Sequence, residues 1–320
     1  MSLTAIQSAG DAIDITRQYL FGRTLRQAVI LAFMVIFLGP TGVSGPPGPI
    51  ELDDEAFAGE NDVPSPADLI AAIDWELAIG AIAVIGLFAV LYGLVSAFME
   101  FGFVHSLVAD TAAIREPAQH HWSRAVALFM FRAVVWGTIA VGIAVLLADA
   151  LGILELPVRT DWVTLTPIAV LVGGGLYLLN RFTTDFVVPI MYHERRGLLS
   201  SWLRLVGVMR TEWRQFAVYV PVRIILEVAL GIGFGLVIGL LLVAVGIVVG
   251  VPVGVVLVLA LGPTVGIVLT IAVLVLVAIP LAAAALVPFH TYLRYYTLLV
   301  LGDTAEGLDL IPDKRLTARR

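Results

Sequence analysis

The sequence reads as an all-α, polytopic integral membrane protein: one transmembrane domain over residues 1–320, with about six transmembrane helices and cytoplasmic interfacial amphipathic helices. Three observations lead there. Hydrophobic residues make up 60% of the 320 and charged residues 14%, against roughly 45–50% and about 25% in soluble domains. Mean hydropathy is +0.99, and one stretch, Val228 to Leu293, runs 66 residues without a formal charge. Basic residues, finally, are concentrated in alternate loops. This pattern excludes a soluble enzyme, a nucleic-acid-binding domain and a disordered tail. The lack of cysteine removes a disulfide scaffold, a thiol nucleophile and a thiolate metal site.

A helix needs about 20 mostly apolar residues to cross a hydrocarbon core of roughly 30 Å. The first candidate, 25–41, is the weakest, because its apolar core Ala28–Leu38 ends at Gly39-Pro40. It reads as a retained helix and not a signal peptide, since Asp11 and Asp14 lie in its flank and no Ala-x-Ala site follows. Segments 77–99 and 125–148 meet the length without strain. So does 163–192, although Arg181 and Asp185 interrupt it. The long uncharged stretch is read as two long, tilted or broken helices, 216–249 and 263–287, joined at Gly250–Pro263. Three crossings there would leave the basic tail outside.

Charge placement sets the orientation. Residues 1–27 carry Arg17, Arg23 and Arg26, whereas the loop from 40 to 76 carries nine acids and no Lys or Arg. Loop 100–124 holds Arg115 and Arg124, loop 149–162 only Arg159, and loop 193–215 holds Arg195, Arg196, Arg204, Arg210 and Arg214. The C-terminal side adds Arg294, Lys314, Arg315, Arg319 and Arg320. Basic loops alternating with basic-poor ones follow the positive-inside pattern, placing both termini and the tail 302–320 in the cytoplasm of a cell-membrane protein. Lys314 is the sole lysine beside 18 arginines, a balance that suits a salt-adapted or high-GC source.

The acidic extracytoplasmic loop 42–76 follows a Gly/Pro-rich punctuator and reads as a solvated segment. Its Asp53-Asp54-Glu55 run lacks the alternating ligands and glycine of a calcium loop. Segment 197–215 differs: apolar positions 198, 202, 205, 206, 209, 213 and 216 recur at helical spacing, punctuated by arginines and two tryptophans. This is a basic amphipathic helix lying in the cytoplasmic interface. Residues 5–20 suggest a weaker one through Ile6, Ala9, Ile13 and Leu20.

Charges within spans are costly, about 2.5–3.5 kcal/mol each on insertion scales. A candidate polar network therefore comprises Arg132, Arg181, Asp185, Arg223, Glu227, His290 and Arg294, with Glu100 at the inner end of the second span. Arg181/Asp185 and Arg223/Glu227 can each neutralise along one helix face. Glu227 is the deepest acid. Gly231, Gly235, Gly239, Gly246, Gly250 and Gly254 fall four apart in two groups, a stripe along which another helix can approach. The same stripe would serve a homo-oligomer. Gly173-Gly174-Gly175 lies mid-span as a hinge or a crossing point. The five histidines with Glu100, Asp110, Glu194 and Asp185 could assemble a metal site only by long-range convergence, because His193-Glu194-Arg195-Arg196-Gly197 departs from His-Glu-x-x-His. No catalytic residue, cofactor-binding motif or metal ligand is indicated.

Thr184-Asp-Phe-Val-Val-Pro-Ile-Met-Tyr-His-Glu-Arg-Arg-Gly197, followed by Ser201-Trp-Leu-Arg and Glu212-Trp-Arg-Gln-Phe, resembles a family of uncharacterised haloarchaeal multi-pass membrane proteins. More loosely it is similar to the membrane domain of some glycerophosphodiester phosphodiesterases. The firmer match covers residues 184–228. The resemblance implies an archaeal membrane protein and brings no catalytic residues. The leading expectation is a non-enzymatic membrane organising or accessory component. Its partners would be the bilayer, anionic lipid at the inner leaflet, and a second copy or another membrane protein, with no nucleic acid. The alternatives are a small transporter or channel using Arg132, Asp185, Arg223 and Glu227, and a membrane-embedded enzyme.

Overall fold

The computed structural model describes residues 4–38, 75–112, 120–150, 154 and 162–319. Among these the chain is all-helical. The helices are α1 (Thr4–Phe21), α2 (Leu25–Leu38), α3 (Trp75–Val108), α4 (Trp122–Ala150), α5 (Trp162–Phe182), α6 (Val188–His193), α7 (Leu198–Thr211), α8 (Trp213–Val245), α9 (Val251–Leu261), α10 (Pro263–Thr304) and α11 (Pro312–Ala318). The acidic loop 42–76 lies outside the described residues except for its last two positions.

Four helices are long and apolar enough to cross a membrane: Ile79–Val108, Trp122–Leu146, the 49-residue run Trp213–Leu261, and Pro263–Thr304. The expected count of about six is thus four among the described residues. The other two expected spans take different forms. At 14 residues, α2 is about 21 Å long, short of the ~30 Å hydrocarbon core. It packs between α3 and α10 through Leu31, Met34 and Val35. Segment 163–192 is α5, with Pro167 inside it, continued through a π-helical turn (Thr183–Val187) into α6. Its second part is buried in protein from Thr183 to Met191.

The long helices each have two halves. In α10 every residue from Phe289 to Gly302 is buried, while Val265, Val268, Ile271 and Leu276 are more than 45% exposed. In α3 the exposed half runs to Leu91, and the buried half begins at Ser96. The buried halves, with α1, α2, α6, α7 and α11, form a compact head. Phe101, Phe103, Phe186, Tyr295 and Tyr296 fill its centre. From it the apolar halves project as arms, the longest a hairpin of α8–α9 against α10.

Local chemistry explains the breaks. Thr24 precedes α2 and its N–H donates to Gln27 Oε1 at 3.3 Å, one arm of a capping box. The hairpin turns on Gly262 alone, at φ 85°, a left-handed conformation that glycine adopts without penalty. Pro263 then opens α10 where its missing N–H costs nothing. A Cβ at Gly266 would fall 2.5 Å from Val258 Cα, so the two backbones meet there. The joint expected at Gly250–Pro263 is narrower than that, because α9 fills most of the interval.

Chain ends are tied into the head. Asp303 accepts hydrogen bonds from Ser8 Oγ (3.0 Å), Arg315 (3.0 Å) and Arg319 (2.6 Å), and Arg319 also reaches Asp11 at 2.7 Å. Lys314 donates to the Leu107 carbonyl (2.6 Å) and Asp110 (2.7 Å). The tail expected at 302–320 is thus folded back, with Leu308, Leu310 and Ile311 buried.

A candidate polar clasp where the helices part

The charged residues within the helices meet at the level where arms leave head. Six elements deliver them and their polar partners: Ser96 and Glu100 from α3, Arg132 from α4, Tyr177 and Arg181 from α5, Thr184 and Asp185 from the π turn, Tyr219, Arg223 and Glu227 from α8, and His290 and Arg294 from α10.

The arrangement has two centres. Glu100, 1% exposed, accepts from Arg132 at 2.8 Å through Oε1 and from Arg294 through Oε2. Arg132 also donates to Thr184 Oγ1 (2.9 Å) and Ser96 Oγ (3.3 Å). At the second centre Arg181 and Arg223 each bridge the same two acids. Arg181 lies 3.3 Å from Asp185 and 2.7 Å from Glu227, and Arg223 lies 3.3 Å and 3.2 Å from them. Tyr219 donates to Asp185 at 2.8 Å and Tyr177 to Glu227 at 3.2 Å. The i,i+4 pairs along α5 and α8 therefore exist, and they also cross between the helices.

Proline chemistry joins the two centres. In the π turn the Val188 N–H bonds to the Thr183 carbonyl. The next donor, which would serve Thr184, belongs to Pro189 and does not exist. The Thr184 carbonyl is thereby released from the helix, and Arg294 donates to it. This fits the frequent placement of π turns at functional positions.

The structure brings all seven candidate network residues to this region. His290 stands in the wall of a small cavity that Glu100, Arg181, Asp185, Arg223 and Arg294 also line, with space for about one water molecule. Sequence reasoning left Tyr177, Thr184 and Tyr219 out of the set. It placed Glu100 as a boundary charge, whereas α3 continues past it to Val108. The signal for Glu100 was its setting, a lone acid in the apolar run 77–109.

The other candidates divide. A Cβ at Gly250 would meet Leu274 at 3.0 Å and one at Gly254 would meet Thr270 at 3.3 Å, so these two face α10 closely. Gly231 is buried. Gly235, Gly239 and Gly246 have open space around them, as do Gly173, Gly174 and Gly175. Among the histidines, His105 Nδ1 lies 2.9 Å from the Tyr192 hydroxyl. His121 stacks on Phe101, centroids 5.5 Å apart, and contacts Arg124. Burial, and then the Arg124 charge, lower the His121 pKa to about 4. Among the described residues no group of three or more His, Cys, Asp or Glu is placed to hold a metal.

The basic amphipathic segment is α7, with Ser201 and Leu205 turned into the head. Leu199 and Leu203 are 77% and 75% exposed, and Trp213 follows at 61%. In α1 the buried face is Ala12, Ile15 and Tyr19, while Ile6 and Ile13 point outward. Of the four positions the sequence pattern favoured, Ala9 and Leu20 are half-buried against the head and the two isoleucines are not.

No curated protein matches this chain, and no solved structure does. Residues 3–311 match the model of a family of unknown function, DUF7544, and the chain belongs to that family.

Proposed function

We propose that this member of DUF7544, a membrane protein of a family without a known activity, is a non-enzymatic membrane-organising component. The observation that supports this most is how the charges are used. Four arginines and three carboxylates bind one another across five helices and the π turn, around a space of about one water molecule. A transporter needs its charges to converge on a substrate-sized cavity or route. Pairing of this kind is what a helix clasp requires.

The exposed halves of α3, α4, α8–α9 and α10 are the lipid-embedded part in this reading, and the head sits at the cytoplasmic face. Arginine bias in the head supports that orientation, which puts both termini inside. There α7 lies at headgroup level, with Leu199, Leu203 and Trp213 in the interface and Arg204, Arg210 and Arg214 available to anionic lipid. The resemblance to haloarchaeal multi-pass proteins agrees with this placement.

Reconstitution into liposomes tests the reading. Ion and small-solute flux should equal that of protein-free vesicles, with Glu227→Gln indistinguishable from the parent. Flux that depends on Glu227 would establish the transporter instead.

A further inference from the structure

The clasp does not balance. Arg132, Arg181, Arg223 and Arg294 supply four positive charges, and Glu100, Asp185 and Glu227 supply three negative ones. All seven side chains are between 1% and 14% exposed. An uncompensated charge in such surroundings carries a desolvation cost of several kcal/mol.

The surplus is localised. Arg181 and Arg223 are matched by Asp185 and Glu227, so the surplus falls on the Glu100 centre, where Arg132 and Arg294 share one carboxylate, and Arg294 brings it to the cavity that Arg181 and Arg223 also line. Donors remain there as well. Arg223 spends Nε on Asp185 and Nη1 on Glu227. Arg181 directs Nη2 at Glu227, and its buried Nε has no hydrogen-bond partner among the described residues. The cavity takes about one water-sized particle, too small for a phosphate or carboxylate group. A halide ion is little larger than water and accepts several N–H donors at once.

From this we infer that the cavity between Arg181, Arg223 and Arg294 binds one monatomic anion, chloride in practice, as the counter-ion that completes the clasp. The inference rests on the clasp reading and adds the ligand to it. An anion held there would raise the stability of the assembled helices without being transported.

The test is thermal unfolding of the detergent-solubilised full chain in sodium gluconate, chloride and bromide at equal ionic strength. The midpoint should rise saturably, by several degrees, in chloride and bromide relative to gluconate. Crystals grown in bromide should show an anomalous peak between the three arginines. Arg294→Met removes the surplus charge and should make the three salts equivalent. If that variant does not fold, Leu38→Phe fills the cavity wall without touching a charge and should also abolish the difference. Equal midpoints for the parent protein in all three salts would overturn the anion site, as would a halide effect that survives both substitutions. Those results would leave the clasp standing, whereas solute flux in liposomes would overturn the functional reading itself.

Discussion

Replacing Glu100 by glutamine withdraws the carboxylate shared by Arg132 and Arg294 and leaves two guanidiniums facing each other in the head. Breaking a buried pair from one side costs roughly 3–5 kcal/mol, so Glu100→Gln should lose that much stability in a denaturant titration. The half-exposed pair Arg196–Glu194, 3.1 Å apart, is the comparison: Arg196→Gln should change stability by less than about 1 kcal/mol. His121 supplies a pH dependence of definite sign. Its pKa is lowered to about 4 by burial and Arg124, while the unfolded chain takes up the proton near the ordinary value of about 6.5. Stability from this residue is complete above the upper value and falls as pH drops through the interval. His121→Phe should flatten the unfolding midpoint between pH 6.5 and about 4, and keep the stacking on Phe101. The charged residues were legible because ionisable side chains are rare in apolar runs. Their partners were not, since tyrosine and threonine in a span are unremarkable until the helices are assembled.

At the level of elements, glycines with the same spacing have different neighbours, which predicts different responses. Gly266→Ala drives a Cβ into the Val258 backbone and should open the α9–α10 hairpin, read as a lower midpoint and faster amide exchange across 251–275. Gly235→Ala meets nothing within 4 Å and should be neutral or stabilise by up to about 1 kcal/mol through helix propensity. The amphipathic helix expected at 197–215 was legible within a few residues of α7, because apolar residues recur there at helical spacing. The π turn Thr183–Val187 and a second one at Gly246–Gly250, between α8 and α9, escaped sequence reasoning, yet each is followed within two residues by a proline, Pro189 and Pro252. The shift of register becomes visible only when the missing donor is traced back to its orphaned carbonyl.

For the molecule as a whole, composition sufficed for the all-helical membrane class, and four of the about six expected spans are matched by helices long and apolar enough among the described residues. A run such as 25–38 is apolar for the same reason whether it faces lipid or the interior of a head, and hydropathy does not separate the two. The cysteine-free chain makes orientation directly measurable: single cysteines at Ser200 and Thr317 should be shielded from an impermeant maleimide in intact cells and react after lysis. Labelling of either in intact cells would reverse the proposed placement of the head. The central claim is that the buried charges hold the helices together by acting on one another. A thermodynamic cycle on Glu100 and Arg294 tests this most directly, comparing the unfolding free energies of the parent, Glu100→Met, Arg294→Met and the double variant. Mutual dependence predicts that Glu100→Met costs at least about 1 kcal/mol less when Arg294 is already absent. An equal cost in both backgrounds would contradict it.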